Sequence, residues 1–227
     1  MHTVGRKKIG RIYHAVSAFK EIDMSTFPRR KHFEYFCSLP YPYVGITSEV
    51  DVTDFVLFCK KHKYSFFLTF LHAATQAAND VREFRQRIYN NGIIEYDSCS
   101  SSHTELLENG TYCYCRLKHD MPFDEYMEYA EKTRILARKE ACLQDDESVR
   151  GMYFITSSPW LHYTAMIQPV AGKEESNPRI SWGKFRKDFN GRDMMPVTVL
   201  VHHGLADGIH IARFYERLIE RMREMID

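Results

Sequence analysis

The sequence has no apolar stretch long enough to cross a bilayer, because its hydrophobic runs are short and interrupted by charged residues. It also lacks an excess of either charge, since 31 Lys and Arg residues face 30 Asp and Glu residues. This balance gives no electrostatic reason to expect nucleic acid or a membrane as a partner. The first residues are basic but lack the continuous apolar segment of a secretory signal. We therefore expect a cytoplasmic protein.

Cysteine pairs with metal-binding spacing are also missing. The six cysteines are Cys37, Cys59, Cys99, Cys113, Cys115 and Cys142. None forms a C-x-x-C motif, and Cys113 and Cys115 would share one face of a strand, too close together for an ordinary zinc pair. We interpret all six as the reduced thiols of a cytosolic protein, without a bound metal.

What the chain has is enough apolar residues for a sizeable core: 44% of its 227 residues are hydrophobic, with 15 Phe and 14 Tyr. We interpret residues 1–26 as an N-terminal extension and residues 27–227 as a single domain. Periodicity and turn residues predict a buried helix over 64–81, a hairpin at Asn91-Gly92, a charged amphipathic helix over 123–144, one strand on each side of Pro159, a buried strand over 194–203 and a closing helix from about 208. Strands mixed irregularly with helices predict an α/β fold, a two-layer sandwich with a mixed β-sheet covered by helices.

The segment "HHGLADGIH" at residues 202–210 carries the clearest candidate chemistry. A neutral imidazole accepts a proton from a hydroxyl near neutral pH if its ring is held in one tautomer. Asp207 could orient such a ring, or could instead hold the turn by accepting backbone N–H bonds and pairing with an arginine. A metal site is disfavoured because adjacent strand residues such as His202 and His203 point to opposite faces. A packing role for both histidines stays open.

Four segments in order resemble one family. "HHGLADGIH" resembles the HHxxxDG motif of coenzyme A-dependent acyltransferases. "PRRKHFEYF" (28–36), "REFRQRIYNNGIIEYDS" (82–98) and "FITSSPW" (154–160) resemble the corresponding segments of chloramphenicol acetyltransferases. The HHxxxDG motif alone also occurs in dihydrolipoamide acyltransferases and condensation domains, so the order and spacing of all four segments narrow the choice. The resemblance extends from about Arg29 to the C-terminus.

The resemblance implies a role for four residues in acyl transfer from acetyl-CoA. His203 corresponds to the family's catalytic histidine, which takes the proton from an acceptor hydroxyl. Asp207 corresponds to a structural aspartate that pairs with an arginine, here Arg29. Thr156 stands where the family has a serine whose hydroxyl stabilises the developing oxyanion, so the hydroxyl is kept and a methyl group is added. Gly208 would permit a tight turn after the aspartate.

The resemblance also divides the remaining site residues into two groups. Those implied for the coenzyme are Trp160, Lys184, Phe185 and Ser181. Those implied for the acceptor are Tyr35, Phe36, Tyr43, Met166 and Gln168. The acceptor group departs from the family, because Met166 replaces a phenylalanine and Gln168 a leucine. We therefore expect chloramphenicol or a related, more polar alcohol as the acceptor.

Family assembly implies a homotrimer with active sites between subunits, in which one subunit brings the histidine and its neighbour much of the pocket. The resemblance also implies antibiotic resistance as a role. Two alternatives remain open at this point. One is a non-catalytic ligand-binding homologue with the same fold, and the other is the trimeric core of a larger acyl-transfer complex.

Overall fold

The computed structural model describes residues 18–143 and 147–227. The helices are α1 (Arg30–Cys37), α2 (Thr53–His62), α3 (Phe66–Asp80), α4 (Phe123–Glu140) and α5 (Gly208–Ile226). The strands are β1 (Phe19–Glu21), β2 (Tyr43–Asp51), β3 (Gln86–Tyr89), β4 (Gly92–Tyr96), β5 (Ser100–Leu106), β6 (Tyr112–Leu117), β7 (Met152–Ser158), β8 (Arg179–Gly183), β9 (Arg186–Lys187) and β10 (Asp193–His202). Short 3-10 turns cover Arg82–Arg85 and Glu147–Gly151.

The main sheet is mixed, as the sequence predicts. Its strands run in the order β2-β10-β8-β7-β5-β6, and β9 pairs with the start of β10. The β5–β7 and β7–β8 pairs are parallel, and the other pairs are antiparallel. The long strand β10 lies inside the sheet between β2 and β8, which explains its nearly continuous apolar run from Met195 to Val201.

Helices α3 and α5 cover one face of this sheet and form its core. Ten residues of α3 are buried, so the helix is apolar on most sides, as predicted. On α5 the predicted stripe is confirmed, with Ile211, Phe214, Leu218 and Met222 buried and Met225 packed against them. The result is the predicted two-layer α/β sandwich, because the sheet and the helices bury their apolar faces against each other.

The predicted hairpin forms, with a turn one residue earlier than the Asn-Gly pair indicates. Asn90 and Asn91 are the two loop residues, both with positive φ (48° and 60°), and Gly92 begins β4. Asparagine tolerates this left-handed region better than most residues. The hairpin and β1 form a separate three-stranded sheet, in which β1 pairs with β4. Residues 1–17 of the proposed extension lie outside the described residues, and the division at residue 26 stays a prediction.

The predicted strand after Pro159 is wrong. Residues 159–178 have no strand, because β8 already pairs with β7 on one side and β10 on the other. The segment crosses the end of β8 instead: the Lys184 N–H donates to the Leu161 carbonyl at 2.7 Å. Its alternating apolar residues are therefore not buried by strand pairing, and Ile167 is 90% exposed.

None of the helices in residues 18–143 and 147–227 is long and apolar enough to cross a membrane. All six cysteines are free thiols, and four of them are buried.

Candidate active site

His202 is a structural residue at the end of β10. Its side chain is nearly completely buried, its Nε2 donates to the Lys173 carbonyl at 3.0 Å, and its Nδ1 accepts the Gly204 N–H at 3.1 Å. Burial lowers the pKa of His202 to about 4, so the ring is neutral at physiological pH. Both ring nitrogens are used inside the protein, which fits the packing role for this histidine.

His203 has a different environment, one residue further along the chain. Its ring stacks on Phe36, with centroids 3.9 Å apart and planes 13° apart. Its backbone N–H donates to the Pro42 carbonyl at 2.7 Å, and its own carbonyl accepts from Arg29 Nη2 at 3.4 Å. The ring is half-buried, and its Nδ1 is buried with no hydrogen-bond partner among the described residues. The imidazole is therefore held in place by stacking and by the hydrogen bonds of its backbone, and its Nδ1 forms no hydrogen bond to a described residue.

Asp207 holds the turn between β10 and α5. Its Oδ2 lies 2.5 Å from Arg29 Nη1, and its Oδ1 accepts the Ile209 N–H at 3.3 Å as the N-cap of α5. Burial alone would raise the pKa of Asp207, but the Arg29 hydrogen bond and charge outweigh it and lower that pKa. Of the two roles left open for this aspartate, the structure shows the turn-holding one. The pair is only partly buried, with side chains 20% and 28% exposed, so solvent weakens it more than a fully buried pair.

The glycine that the turn requires is Gly204 rather than Gly208. A Cβ on Gly204 would lie 3.1 Å from two atoms of the His202 ring and 3.5 Å from the Phe33 Cα. A Cβ on Gly208 would meet nothing within 4 Å, and its φ is not positive. The expectation for Gly208 is therefore wrong, because the close approach occurs where the chain folds back over His202.

A large cavity of about 1010 Å³ opens at the other end of the sheet. The pairing of β5 with β7 ends at His103 and Ile155, although both strands continue for three more residues. Past this point residues from both faces of the sheet line the cavity, including Thr104 and Glu105, which alternate along β5. A cavity of this size accommodates a small-molecule ligand.

Several predicted site residues line this cavity. They are Thr156, Trp160, Gln168, Lys184 and Phe185. The Thr156 hydroxyl lies 3.2 Å from the Thr104 hydroxyl on the neighbouring strand. Trp160 is 66% exposed at the cavity edge, and the Phe185 ring lies 5.6 Å from the Phe66 ring. The structure thus brings the residues implied for the oxyanion and most of those implied for the coenzyme to one place.

The other predicted residues lie outside the cavity lining. Ser181 is completely buried beside Thr156 on the neighbouring strand, and its hydroxyl lies 3.4 Å from the Tyr163 hydroxyl. Met166 packs beside Gln168, and the Tyr43 hydroxyl lies 2.5 Å from the Gly172 carbonyl and 2.7 Å from that of Glu175. Tyr35 and Phe36 belong to the His203 cluster, where their rings pack edge to face.

Within one chain His203 and Thr156 are far apart. The register pairs Thr156 with Ser181 and Ser181 with Thr198, so these residues lie at one level across the sheet. His203 comes five residues after Thr198 on the adjoining strand, which corresponds to about 17 Å along the strand direction. No side chain spans that distance, so a single chain does not bring the two groups to one reacting centre.

The cavity wall also carries a charged cluster that was not predicted from the sequence. Glu105 of β5 lies 3.0 Å from His103 Nε2, 2.5 Å from Arg134 Nε and 3.4 Å from Arg138 Nε. The available signals were His-x-Glu on one strand face and arginines four residues apart on a helix. These signals are weak because residues 100–106 lack the alternation of apolar and polar residues that indicates a strand.

In residues 18–143 and 147–227 no group of three or more His, Cys, Asp and Glu side chains is placed to hold a metal. His202, Asp207 and His210 form hydrogen bonds within the protein, and the His203 ring stacks on Phe36. His210 accepts the Asp207 N–H at 3.1 Å as part of the helix cap.

Comparison with known proteins agrees with this geometry. A family model described as chloramphenicol acetyltransferase matches residues 17–219. A chloramphenicol acetyltransferase of Klebsiella sp is 25% identical over 211 residues, which cover 89% of this chain and 93% of the relative. Chloramphenicol acetyltransferase 2 of Haemophilus influenzae is 26% identical over 207 residues, with 88% and 95% covered.

Solved structures give the same result. A chloramphenicol acetyltransferase structure is similar with a TM-score of 0.77 at 26% identity, covering 90% of this chain and all of the other. A dihydrolipoamide acetyltransferase of Azotobacter vinelandii has a TM-score of 0.65 at 16% identity, with 87% and 88% covered. The second similarity shows a shared fold only.

Proposed function

The chain belongs to the chloramphenicol acetyltransferase family and is an acyltransferase, and from this premise we propose that it transfers the acetyl group of acetyl-CoA to a hydroxyl of a small molecule. The observation that carries the proposal is the contrast between the two adjacent histidines. Both ring nitrogens of His202 form hydrogen bonds to the protein, whereas the half-buried ring of His203 is held by stacking on Phe36. The Nδ1 of His203 is buried, so Nε2 is the nitrogen that would accept the proton of an acceptor hydroxyl.

In this mechanism His203 takes the proton of the acceptor hydroxyl as that oxygen attacks the thioester carbonyl. Acetyl-CoA supplies the activated acetyl group. Thr156 donates its hydroxyl hydrogen to the negative charge that develops on the carbonyl oxygen, a contribution of about 3 kcal/mol for a well-placed donor. His203 then returns its proton to the departing sulfur, which leaves it neutral for the next turnover.

Arg29 and Asp207 act as positioning residues in this proposal. Arg29 bonds both the Asp207 carboxylate and the His203 carbonyl, so one guanidinium fixes the helix cap and the backbone of the base. Phe36 fixes the ring from its face. The imidazole thus reaches its reactive pose without a carboxylate on its Nδ1.

The cavity fits the coenzyme at the end where β7 and β8 finish. Trp160 and Phe185 give it apolar walls, and Lys184 supplies a cation for an anionic group. Ser181 lies beside Thr156 on the neighbouring strand and does not line the cavity, so it would affect coenzyme binding by positioning Thr156 rather than by direct contact. Gln168 lines the same cavity and would face the acceptor, with Met166 packed next to it.

The separation of His203 from Thr156 supports an active site shared between two copies of the chain. We propose a homotrimer in which the His203 cluster of one subunit, with Tyr35, Phe36 and Tyr43 around it, closes over the Thr156 cavity of its neighbour. The exposed apolar side chains beside the cavity, Trp160, Leu161 and Ile167, support burial of this surface in an assembly. The proposal includes a cytoplasmic enzyme with residues 27–227 as its single domain.

Chloramphenicol or a related alcohol is the proposed acceptor, and drug resistance the corresponding role. The test is a thiol-release assay with acetyl-CoA and a panel of alcohols that includes chloramphenicol. We expect wild-type protein to release coenzyme A with at least one alcohol and His203→Ala to be slower by about a thousandfold. Wild type and His203→Ala that are equally inactive with every alcohol would remove the support for this function.

A calorimetric titration of coenzyme A checks the same proposal independently of turnover. Binding with a stoichiometry of one per chain is expected for the wild type. A protein that binds an alcohol from the panel but not coenzyme A would instead be a ligand-binding homologue.

A further inference from the structure

The cavity wall contains a buried carboxylate whose two oxygens both contact basic side chains. Glu105 is 95% buried as a side chain. Its Oε1 receives His103 Nε2 at 3.0 Å and Arg134 Nε at 2.5 Å, and its Oε2 lies 3.3 Å from Arg134 Nη2 and 3.4 Å from Arg138 Nε. Burial alone would raise the pKa of Glu105, but these bonds outweigh it and lower that pKa to about 2. The carboxylate is therefore charged, and both of its oxygens are occupied.

The second carboxylate of the wall is occupied as well. Glu175 bonds Arg179 through Oε1 and accepts the Ala171 N–H at 2.5 Å through Oε2. Both oxygens of Glu175 are thus bound to protein donors, and the four contacts of Glu105 use all of its acceptor sites. Glu105 therefore has no acceptor site left for a substrate ammonium group.

The two arginines of the wall, Arg134 and Arg138, differ from the carboxylates because not all of their donors are used by the protein. His103 is completely buried, and burial lowers its pKa, so the charged partners of Glu105 in the part of the chain that the structure describes are two guanidinium groups. Arg134 is held by two bonds to Glu105, and its Nη1 lies 3.8 Å from the exposed Glu131 on the outer side of α4. Arg138, one helical turn later, contacts Glu105 through Nε alone among the described residues and is 42% exposed. A guanidinium carries five donors, so Arg138 retains donors for a ligand.

Arg138 lies at the opposite end of the cavity from Lys184 and Phe185. Those two residues follow β8, whereas Arg138 is anchored to Glu105 on β5, two strands away in the order β8-β7-β5. Two strand spacings amount to about 10 Å. Thr156 lies on β7 between the two ends. The Glu105 cluster and Thr156 point to opposite faces of the sheet, and the cavity connects the two faces beyond the last β5–β7 pair. A ligand group at Arg138 is therefore about two strands away from the proposed coenzyme site and reaches Thr156 through this opening.

Aromatic side chains line the cavity on both faces of the sheet. They include Tyr112, Tyr114, Phe154 and Phe67. Arg134 lies over the Phe67 ring at 5.3 Å, and Arg179 lies over the Phe154 ring at 4.9 Å. Such walls favour a flat apolar ligand body with its charge directed to the arginine end.

We propose that the preferred acceptor is one of the alcohols related to chloramphenicol that carries, in addition, an anionic oxygen group on a flat apolar body, and that Arg138 binds the anion while Glu105 holds Arg134 beside it. This inference rests on the proposed acyl transfer, because it names the class of acceptor for the same site. The carboxylate and the phosphate ester of one alcohol share the chemistry that a guanidinium recognises.

The test compares 4-(hydroxymethyl)benzoate with its methyl ester, which differ in the anion and share the alcohol, and adds 4-(hydroxymethyl)phenyl phosphate as a second anion. Values of kcat/KM are measured with acetyl-CoA for wild type, Arg138→Gln and Lys132→Gln. Lys132 is on the same helix, is 75% exposed and pairs with Glu128, so its variant controls for loss of one positive charge. We expect wild type to prefer at least one of the two anions to the ester by about tenfold or more. Arg138→Gln is expected to abolish this preference, and Lys132→Gln to keep it.

Three results would overturn the inference. The first is a wild type that accepts the ester as well as both anions. The second is an Arg138→Gln variant that keeps the preference with an unchanged thermal transition. The third is an Arg138→Gln variant that changes only the KM for acetyl-CoA, which would assign Arg138 to the coenzyme.

Calorimetric titration with the same three compounds separates this inference from the proposed function. One outcome is that wild type binds an anion but not the ester, that Arg138→Gln does not bind the anion, and that no turnover occurs. This outcome would uphold the anion subsite and contradict acyl transfer. Absence of both turnover and anion binding would contradict the subsite directly.

Discussion

Arg29 Nη1 lies 2.5 Å from Asp207 Oδ2, although the two residues are 178 positions apart in the chain. The same guanidinium reaches the His203 carbonyl at 3.4 Å. One side chain from the N-terminal part of the domain thus connects the cap of the last helix with the backbone of the proposed base. The pair is partly exposed, so its main effect is on geometry rather than on the free energy of folding.

Arg29→Ala should therefore lower kcat about tenfold to a hundredfold while reducing the free energy of unfolding by only about 1 kcal/mol. The reason is that His203 loses a backbone restraint and α5 keeps its own cap from Asp207. Steady-state kinetics and urea unfolding measure the two effects. Arg30→Ala is the matched control, because Arg30 forms an exposed pair with Glu34 and should change neither quantity. A variant at Arg29 that loses stability but keeps kcat would contradict the positioning role.

Substitution of Thr156 should separate its hydroxyl from its methyl group. Thr156→Val keeps the shape and removes the donor, so kcat should fall by about a hundredfold to a thousandfold with little change in the KM for acetyl-CoA. Thr156→Ser keeps the donor and gives χ1 more freedom, so it should retain activity within a fewfold of wild type. Both are measured by thiol release. Equal activity of the valine and serine variants would show that no oxyanion bond forms at this position.

Mixing two inactive variants should restore activity if the site is shared between chains. His203→Ala and Thr156→Val each disable every site of a homotrimer, but a mixed assembly contains sites with an intact histidine from one chain and an intact threonine from another. We expect unfolding and refolding of the two together to recover activity, whereas each refolded alone stays inactive. The doubly substituted chain, refolded with His203→Ala, is the control and should recover nothing. Failure of the mixture, with assemblies confirmed by light scattering, would contradict a site shared by His203 and Thr156 of different chains.

Stability should fall as the pH drops below neutrality. His72 on α3 is buried against Tyr126 and has a buried Nδ1 without a partner among the described residues. Burial, with a smaller effect of the Arg221 charge, lowers the pKa of His72 to about 4, while in the unfolded chain it is about 6.5. The contribution is thus fully present above pH 6.5 and is lost between pH 6.5 and 4, at about 1.4 kcal/mol per pH unit.

Urea unfolding at pH 7.5, 6.0 and 5.0 measures this loss. His119 and His202 act in the same direction, because burial lowers the pKa of each. His72→Leu should make the decline shallower, and substitution of the exposed His32 by Gln should leave it unchanged. A decline that is equally steep in His72→Leu and wild type would exclude a contribution from His72.

The sequence alone determined the elements and the identity of the chemical groups. The 3.6-residue stripe of α5, the apolar run of β10 and the asparagines of the hairpin are local patterns, and local backbone preferences fix what they form. The resemblance likewise placed His203, Asp207, Arg29 and Thr156 by their neighbours in sequence. These predictions needed no knowledge of distant contacts, with the exception of the segment after Pro159, whose strand-like pattern finds no free sheet edge.

Only the tertiary structure decided which groups meet. It separated the role of His202 from that of His203, since burial and hydrogen bonds differ for neighbours that point to opposite faces. It placed Thr156 too far from His203 for one chain to bring them together. It also brought Glu105 into contact with Arg134, which is 29 residues away in the sequence, and with Arg138. Such contacts depend on strand order and register, which one-dimensional patterns do not specify. A buried ionic cluster also breaks the hydrophobic alternation by which strands are found, so its chemistry becomes visible only after the chain has folded.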